Sequence, residues 1–544
     1  MSAKQFVDDV TVFLKAGYQL LVVPTNEPAE AEKAIVEAAK EWASGDKSAP
    51  PKVYTWNMAA GFESLTKAAQ SIDNPQAKIP LTAVNIAAAS DDTMCVYMMR
   101  NLHWALDADK PTRQRLLNAV NDRQLNRQDR RACIVLLQPN SYLPPDVAPL
   151  AQLVRFELPD QEELAKITDA VHKSSLPALK AKGRESSFSP DLRDRLQMAL
   201  QGLTRHQAGD TLARCLVTNG NWEPEMVNTV KSQKAELFGQ SGSLTYIPDH
   251  MIPPRDGLVG FENAVQLVEL SAEAYTATGR ACRLDLPKGI AMLGPPGTGK
   301  TQFAKLTAAI FRDVCGQAFP IYWVNVGSLF GSLVGQSEAA MDNLLSTLNA
   351  HRGCIAVFDE FEKTIGQTTG GNDGGVSNRM RGRLLQWMSE ERRETFVIVT
   401  MNGVAGVAPE FFRRFDATLA TDLPDVSGRV DILKLHLQKR GVDPQSLDMK
   451  SEDWEAVAKA AEDFAGSELE DAVVLARRLA HHRHKHGNPT SDELLEAIRE
   501  RGRSTMSKIQ ADTLKEIREF CGRVAQPVKL AKTGKARTGR AMSL

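Results

Sequence analysis

The chain has 544 residues, too many for a single hydrophobic core, so two or three packed units are expected. Its 66 basic and 67 acidic side chains leave a net charge of -1, which removes any global electrostatic reason to expect nucleic acid or an acidic membrane as partner. Seven scattered cysteines without a Cys-x-x-Cys pair, no apolar signal core and no apolar run of membrane-spanning length predict a soluble protein of the reducing cytoplasm.

The first predicted elements are a helix from Lys4 to Ala16, a strand from Tyr18 to Pro24 and a helix from Ala29 to Ala43. A strand–turn–helix can cradle phosphate, but the turn Val23-Pro-Thr-Asn-Glu-Pro-Ala29 has no glycine or lysine, and Glu27 would repel phosphate. An apolar strand from Met94 to Met98 ends in Arg100-Asn101 with no acidic pair, and another from Cys133 to Leu137 leads to Asn140. Gly239, Gly242, Pro248, Pro253 and Pro254 then mark residues 235–254 as a linker.

Beyond it, a buried strand over 288–294 runs into Gly294-Pro295-Pro296-Gly297-Thr298-Gly299-Lys300-Thr301 and a helix from Gln302 to Val314. This is G-x-x-x-x-G-K-[ST] in its strand–loop–helix setting, which predicts a phosphate-binding loop. Glycines let backbone N–H groups converge on phosphate oxygens, and the helix N-terminus adds partial positive charge. Lys300 is expected on the β- and γ-phosphates of ATP and the Thr301 hydroxyl on magnesium. Next, the strand Cys354–Phe358 ends in Asp359-Glu360, with Asp359 expected to hold the water shell of Mg2+ and Glu360 to act as general base. A polar run, Gln367 to Gly375, precedes a helix from Ser377 to Glu391 on which only Arg379 and Arg383 are neighbours; they contact a second subunit or are solvated. The strand Thr395–Met401 ends in Asn402, placed to orient the attacking water. Arg413 and Arg414, between aromatics, are a surface pair or fingers reaching a neighbouring subunit's ATP, a role that requires an oligomer.

The order of these elements resembles the AAA clade of the AAA+ ATPases over about residues 255–505. Phe411 to Asp416 is similar to the end of that clade's second region of homology, L-R-x-G-R-F-D. Arg414 matches the last arginine; the spacer is missing, so Arg413 matches the first only through a two-residue deletion. Asp256-Gly-Leu-Val259-Gly260-Phe resembles the segment whose backbone touches adenine. His436 falls where the clade carries a histidine near the base, a core histidine being the alternative, and Gly466-Ser467 resembles the lid-helix start that approaches the nucleotide. As in the clade, no second-sensor arginine is present there. Ser328 to Glu338 is similar to the first pore loop and its helix, with Leu333-Val334 where threading members carry an aromatic and an aliphatic residue; Phe330 lies nearby. Gln367 to Gly375 fits a second pore loop.

The first half echoes the second. Asn140 and Asn402, Leu158-Pro-Asp160 and Leu423-Pro-Asp425, and Ala213-Arg and Ala476-Arg recur at spacings of 262, 265 and 263 residues. A degenerate AAA-like domain is expected, with an unrelated α/β adaptor as the competing reading. The whole layout, through Ala16 to Val23 and Val326 to Glu338, resembles an AAA family of plastid and cyanobacterial genomes.

The expected fold class is α/β. Residues 1–234 form the degenerate domain with a helical lid, 235–254 the linker, 255–425 the P-loop core with a parallel sheet, 426–510 the lid, and 511–544 a helix and a basic, disordered tail. Within the lid only His482 and His486 of the histidine cluster would share a helical face, without a metal cage. The resemblance implies a homo-oligomeric ring, expected to be a hexamer, that hydrolyses ATP with Mg2+ to remodel a protein client. An ATP-controlled scaffold and, supported only by the basic tail, a nucleic-acid motor are the alternatives.

Overall fold

The computed structural model describes residues 3–529 apart from 45–49, 90–93, 126–131, 185, 317–318, 328–335, 352, 366–375, 391–393, 405–406, 408 and 503–510. Both expected pore loops, with Phe330, Leu333 and Val334, and most of the basic tail lie outside the described residues. The chain divides into two compact units: Met1–Glu236 with Leu329–His351, and Leu237–Ser328 with Arg352–Leu544.

The first unit is built on six strands: β1 (Leu20–Pro24), β2 (Lys52–Asn57), β3 (Gly61–Ser64), β4 (Cys95–Arg100), β5 (Ala132–Gln138) and β6 (Gln152–Leu153). Their order is β3-β2-β4-β5-β1-β6, parallel except for the β2–β3 hairpin. The strands are apolar on both faces, as a sheet covered on both sides requires. Leu20 and Val22 join Trp56 and Tyr97 in one core; Leu21 and Val23 join Phe6, Val10 and Ile35 of the helices Ala3–Lys15 and Pro28–Ala43 in the other. Four helices follow, Gln161–Ala181, Pro190–Leu200, Arg205–Asn219 and Met226–Ser241.

The second unit has seven strands: β7 (Leu244–Tyr246), β8 (Gly289–Leu293), β9 (Ile321–Val324), β10 (Cys354–Phe358), β11 (Thr395–Met401), β12 (Ala417–Ala420) and β13 (Gln526–Pro527). The order is β13-β12-β8-β11-β10-β9-β7, with only β7 antiparallel. The run β2-β4-β5-β1-β6 of the first unit therefore has the same chain-order permutation as β9-β10-β11-β8-β12 of the second. The repeated Leu-Pro-Asp has a local cause. Asp160 and Asp425 are both N-caps, accepting from Glu163 N at 2.9 Å and Gly428 N at 2.7 Å to start the helices that follow β6 and β12. The helices Val426–Gln438, Ser451–Ala460, Gly466–His484 and Ser491–Arg501 share a separate apolar core around Leu433, Trp454, Leu469 and Ile498.

Four expectations need revision. Residues 235–254 are not an open linker, because the helix continues to Ser241 and β7 pairs with β9, burying Leu244 and Tyr246. The start of the tail is ordered: β13 adds to the edge of β12, Val528 enters the core and Lys529 pairs with Asp425 at 3.0 Å. A two-residue strand is held by backbone bonds and leaves no periodic signature. Finally, the helix Gln336–Asn349 belongs to the first unit, where Asp342 accepts from Ser141 N at 3.1 Å and Ser141 Oγ at 2.8 Å. The expected core 255–425 is thus continuous in sequence but not as a packed body. In the histidine cluster the helix stops at His484 and Lys485 turns left-handed, so His484 stacks on His486 instead.

Candidate active site

The site lies at the C-terminal ends of β8, β10 and β11, where a parallel sheet opens its crevice. A cavity of about 330 Å3 runs from the phosphate loop to the lid. Pro296, Gly297, Thr298, Gly299, Lys300, Thr301 and Gln302 line one end, with Asp359, Glu360 and Asn402. Gly257, Leu258, Val259 and Phe261 line the other, with Ile432, Leu435, His436, Lys439, Gly466, Ser467 and Glu470. Of the expected nucleotide contacts, Gly294, Pro295 and Gly260 are not among the lining residues.

The loop is shaped by what a side chain would strike. A Cβ on Gly294 would lie 2.2 Å from the Thr421 carbonyl oxygen, and one on Gly297 2.2 Å from Ser467 Oγ. Both residues also hold positive φ, at 149° and 77°. Ser467 N donates to Gly297 O at 3.1 Å, which ties the lid helix to the loop. Lys300 opens the helix Lys300–Cys315 and is 5% exposed; its ammonium donates to Gly294 O at 2.8 Å and Pro295 O at 2.6 Å. Burial pushes this ammonium down to about 8, against the pull of Asp359, Glu362 and Glu360.

The acidic pair is held by the neighbouring strand. Thr301 Oγ1 stands 3.4 Å and 3.5 Å from the two Asp359 carboxylate oxygens. Thr400 Oγ1 donates to Asp359 Oδ1. Glu360 has φ of 51°, a left-handed conformation that costs a non-glycine residue about 1 kcal/mol or more. Its carboxylate receives Asn402 Nδ2 at 3.2 Å and Lys363 Nζ at 2.5 Å. At the far end, burial depresses His436 to about 4, so the ring is neutral at pH 7. Lys439 Nζ donates to Gly257 O at 2.8 Å, and Arg440 holds Glu470 at 2.6 Å.

Arg413 and Arg414 are not part of their own chain's cavity. Arg413 is exposed, whereas Arg414 is half-buried and donates to Leu385 O at 2.7 Å and to Ser389 Oγ. Leu258 and Phe261 lie within the segment Asp256 to Phe261 expected near adenine, whereas Ile432 and Leu435, also at the apolar end of the cavity, escaped sequence reasoning because core residues look the same. Thr400, Lys363, Lys439 and Glu470 escaped it because nothing in their spacing marks them.

The corresponding turn of the first unit is filled from within. Glu27 follows β1 and is buried; its carboxylate accepts from Arg205 N at 2.6 Å and Arg205 Nη1 at 2.8 Å. Arg205 also donates to Glu163 at 2.6 Å and to Glu157 O at 3.1 Å, with its guanidinium 4.5 Å from the Phe156 ring centre. Desolvation still raises the Glu27 carboxyl, against the pull of Arg205.

A strand order with an inserted strand between the phosphate loop and the acidic pair, a lysine in that loop, and a helical lid over the cavity define an AAA+ ATPase. Three family models agree. The SpoVK-like AAA ATPase N-terminal domain matches residues 6–156 and that family's second domain 162–241, while the ATPase family associated with various cellular activities (AAA) matches 290–423. The chain is 26% identical over 482 residues to the AAA domain-containing protein ycf46 of Guillardia theta, covering 87% of each. It is 25% identical over 483 residues to ycf46 of Trieres chinensis, covering 87% of this chain and 88% of that one. Over 312 residues it is 28% identical to the ATP-dependent zinc metalloprotease FtsH 4 of Synechocystis, covering 55% of this chain and 46% of the relative. The chain is an AAA+ ATPase, an ATP-hydrolysing enzyme, and is similar along most of its length to the ycf46 proteins. No helix among the described residues is long and apolar enough to cross a membrane.

Proposed function

We propose that this chain hydrolyses Mg-ATP at sites shared between the subunits of a ring, expected to be a hexamer, and uses the cycle to remodel or disassemble a protein complex. The carrying observation is the convergence of Lys300, Asp359, Glu360 and Asn402 on one cavity closed by the lid residues Gly466 and Ser467. The Thr301 hydroxyl beside a single carboxylate fits magnesium, which takes one or two carboxylates and leaves its other positions to water and phosphate. Held there, the ion would supply positive charge against the phosphates.

The chain's own groups account for the rest. Lys300 leaves the two loop carbonyls for the β- and γ-phosphate oxygens. Glu360 takes a proton from the water that attacks the γ-phosphorus, the bond to the bridging oxygen breaks, and ADP and phosphate result. Asn402 holds Glu360 and that water in register. Val259 and the neutral His436 face the base. Arg413, exposed, reaches the neighbouring site directly, and Arg414 does so after releasing Leu385 and Ser389. The first unit, with Glu27 and Arg205 where phosphate would sit, binds no nucleotide and serves as a fixed platform for the ring or its client.

Mixing two inactive variants tests the shared site. Glu360→Gln keeps its arginines, and an Arg413→Ala/Arg414→Ala variant keeps its base. Their mixture should recover activity at about a quarter of the sites by random assembly, because each working site needs one subunit of each kind. Activity no greater than the sum of the two variants alone would remove the shared site.

A further inference from the structure

We propose that Thr400 is a positioning residue for hydrolysis, one buried hydroxyl that orients both acids of the site; this rests on the hydrolytic reading above. Thr400 is 1% exposed on β11, one position beyond the pairing of Val399 with Phe358 on β10, and so lies beside Asp359. Its hydroxyl makes two bonds whose directions are fixed by chemistry. The Glu360 amide can only donate, at 3.2 Å, so the single hydroxyl proton goes to Asp359 Oδ1. The Thr400 carbonyl accepts a third bond, from Phe361 N at 3.0 Å.

Each bond has a separate consequence. Engaging Oδ1 fixes the plane of the Asp359 carboxylate relative to Thr301, 3.4 Å away. The two amide bonds clamp the left-handed turn at Glu360, whose φ of 51° needs outside support. Residues two apart on a strand share a face, so Asn402 reaches the Glu360 side chain at 3.2 Å from the same side. One residue thus sets the backbone of the general base and the next but one sets its carboxylate. Thr400 is not among the residues that line the cavity.

Valine has the shape and strand preference of threonine without the hydroxyl, so Thr400→Val deletes two bonds and spares the packing. In the full-length protein we expect kcat to fall by about 10- to 100-fold, the scale of a misplaced catalytic group. KM and the nucleotide dissociation constant should stay within about twofold, because lost positioning leaves ground-state binding alone. Thr400→Ser, which keeps the hydroxyl and loses the methyl, should restore most of kcat. A valine variant with wild-type kcat would overturn the assignment. So would equal losses in valine and serine, which would mean that packing rather than the hydroxyl matters. Should valine melt before assay, the serine variant decides alone: near-wild-type kcat supports the hydroxyl and a large loss overturns it. A wild-type protein without ATP turnover would count against the reading of the site itself, a result separable from all of these.

Discussion

Lys300 is buried, with its ammonium on the Gly294 and Pro295 carbonyl oxygens, and burial brings its pKa to about 8 from 10.5. Phosphate oxygens bind the protonated form, so nucleotide affinity should be flat below pH 8 and weaken as pH rises above it. One proton taken up on binding corresponds to a roughly tenfold rise in Kd per pH unit. The folded protein moves the other way. Its lysine releases a proton before the unfolded chain's does, so this group adds stability as pH climbs from about 8 to 10.5. Titrating ATP by calorimetry from pH 7 to 9.5 checks the first statement. Lys300→Arg, which does not titrate in this range, should flatten any slope, and an equally steep profile in that variant would assign the proton elsewhere. The phosphate-loop residues were legible in sequence because the chain itself brings them together within eight positions, Gly294 to Thr301. Thr400, Lys439 and Glu470 meet the site only through strand pairing and lid packing, which spacing along the chain does not encode.

At the scale of elements, the two sheets show what loss of a phosphate loop leaves behind. In the second unit a glycine loop, a buried lysine and the start of the helix Gly466–His484 surround a cavity. In the first, the same strand–turn–helix ends in Glu27, whose carboxylate receives the first amide of the helix Arg205–Asn219 and the Arg205 guanidinium. An anion at a helix N-terminus is favourable, and here the chain supplies its own. Arg205→Ala would leave Glu27 buried without its charge partner, a loss of about 3–5 kcal/mol for such pairs. Urea unfolding of the full-length variant should show an early transition, while ATP affinity at the second unit stays at the wild-type value. The Glu27→Gln/Arg205→Met pair should lose less than the two single changes summed, since neither charge is then stranded. An unchanged urea curve for Arg205→Ala would deny the pair a structural role. The missing loop was legible from Val23 to Ala29, and so was the repulsive carboxylate, but not its partner 178 residues away. Element types were equally legible where an apolar run filled a buried strand, as in Cys354–Phe358 and Thr395–Met401, which the structure reproduces residue for residue. They were not where pairing was brief, as in β7 and β13, because punctuation by glycine and proline is common to loops and to short edge strands.

For the whole molecule, the proposed chemistry requires subunits that share sites. Neither Arg413 nor Arg414 lines the cavity of its own chain, nor does any other arginine among the described residues, so on the proposed reading a chain alone has its base, its lysine and its lid but lacks its arginine finger. Such a chain should bind ATP and turn it over poorly, with activity per chain rising with concentration as the ring assembles. Glu360→Gln removes the general base while keeping the amide geometry, and should hold ATP without using it. The most direct measurement is size-exclusion chromatography with light scattering on this variant, with and without ATP and magnesium. The account predicts a shift from small species to a ring-sized assembly, near six chains, on adding nucleotide. A variant that binds ATP and stays monomeric would contradict it.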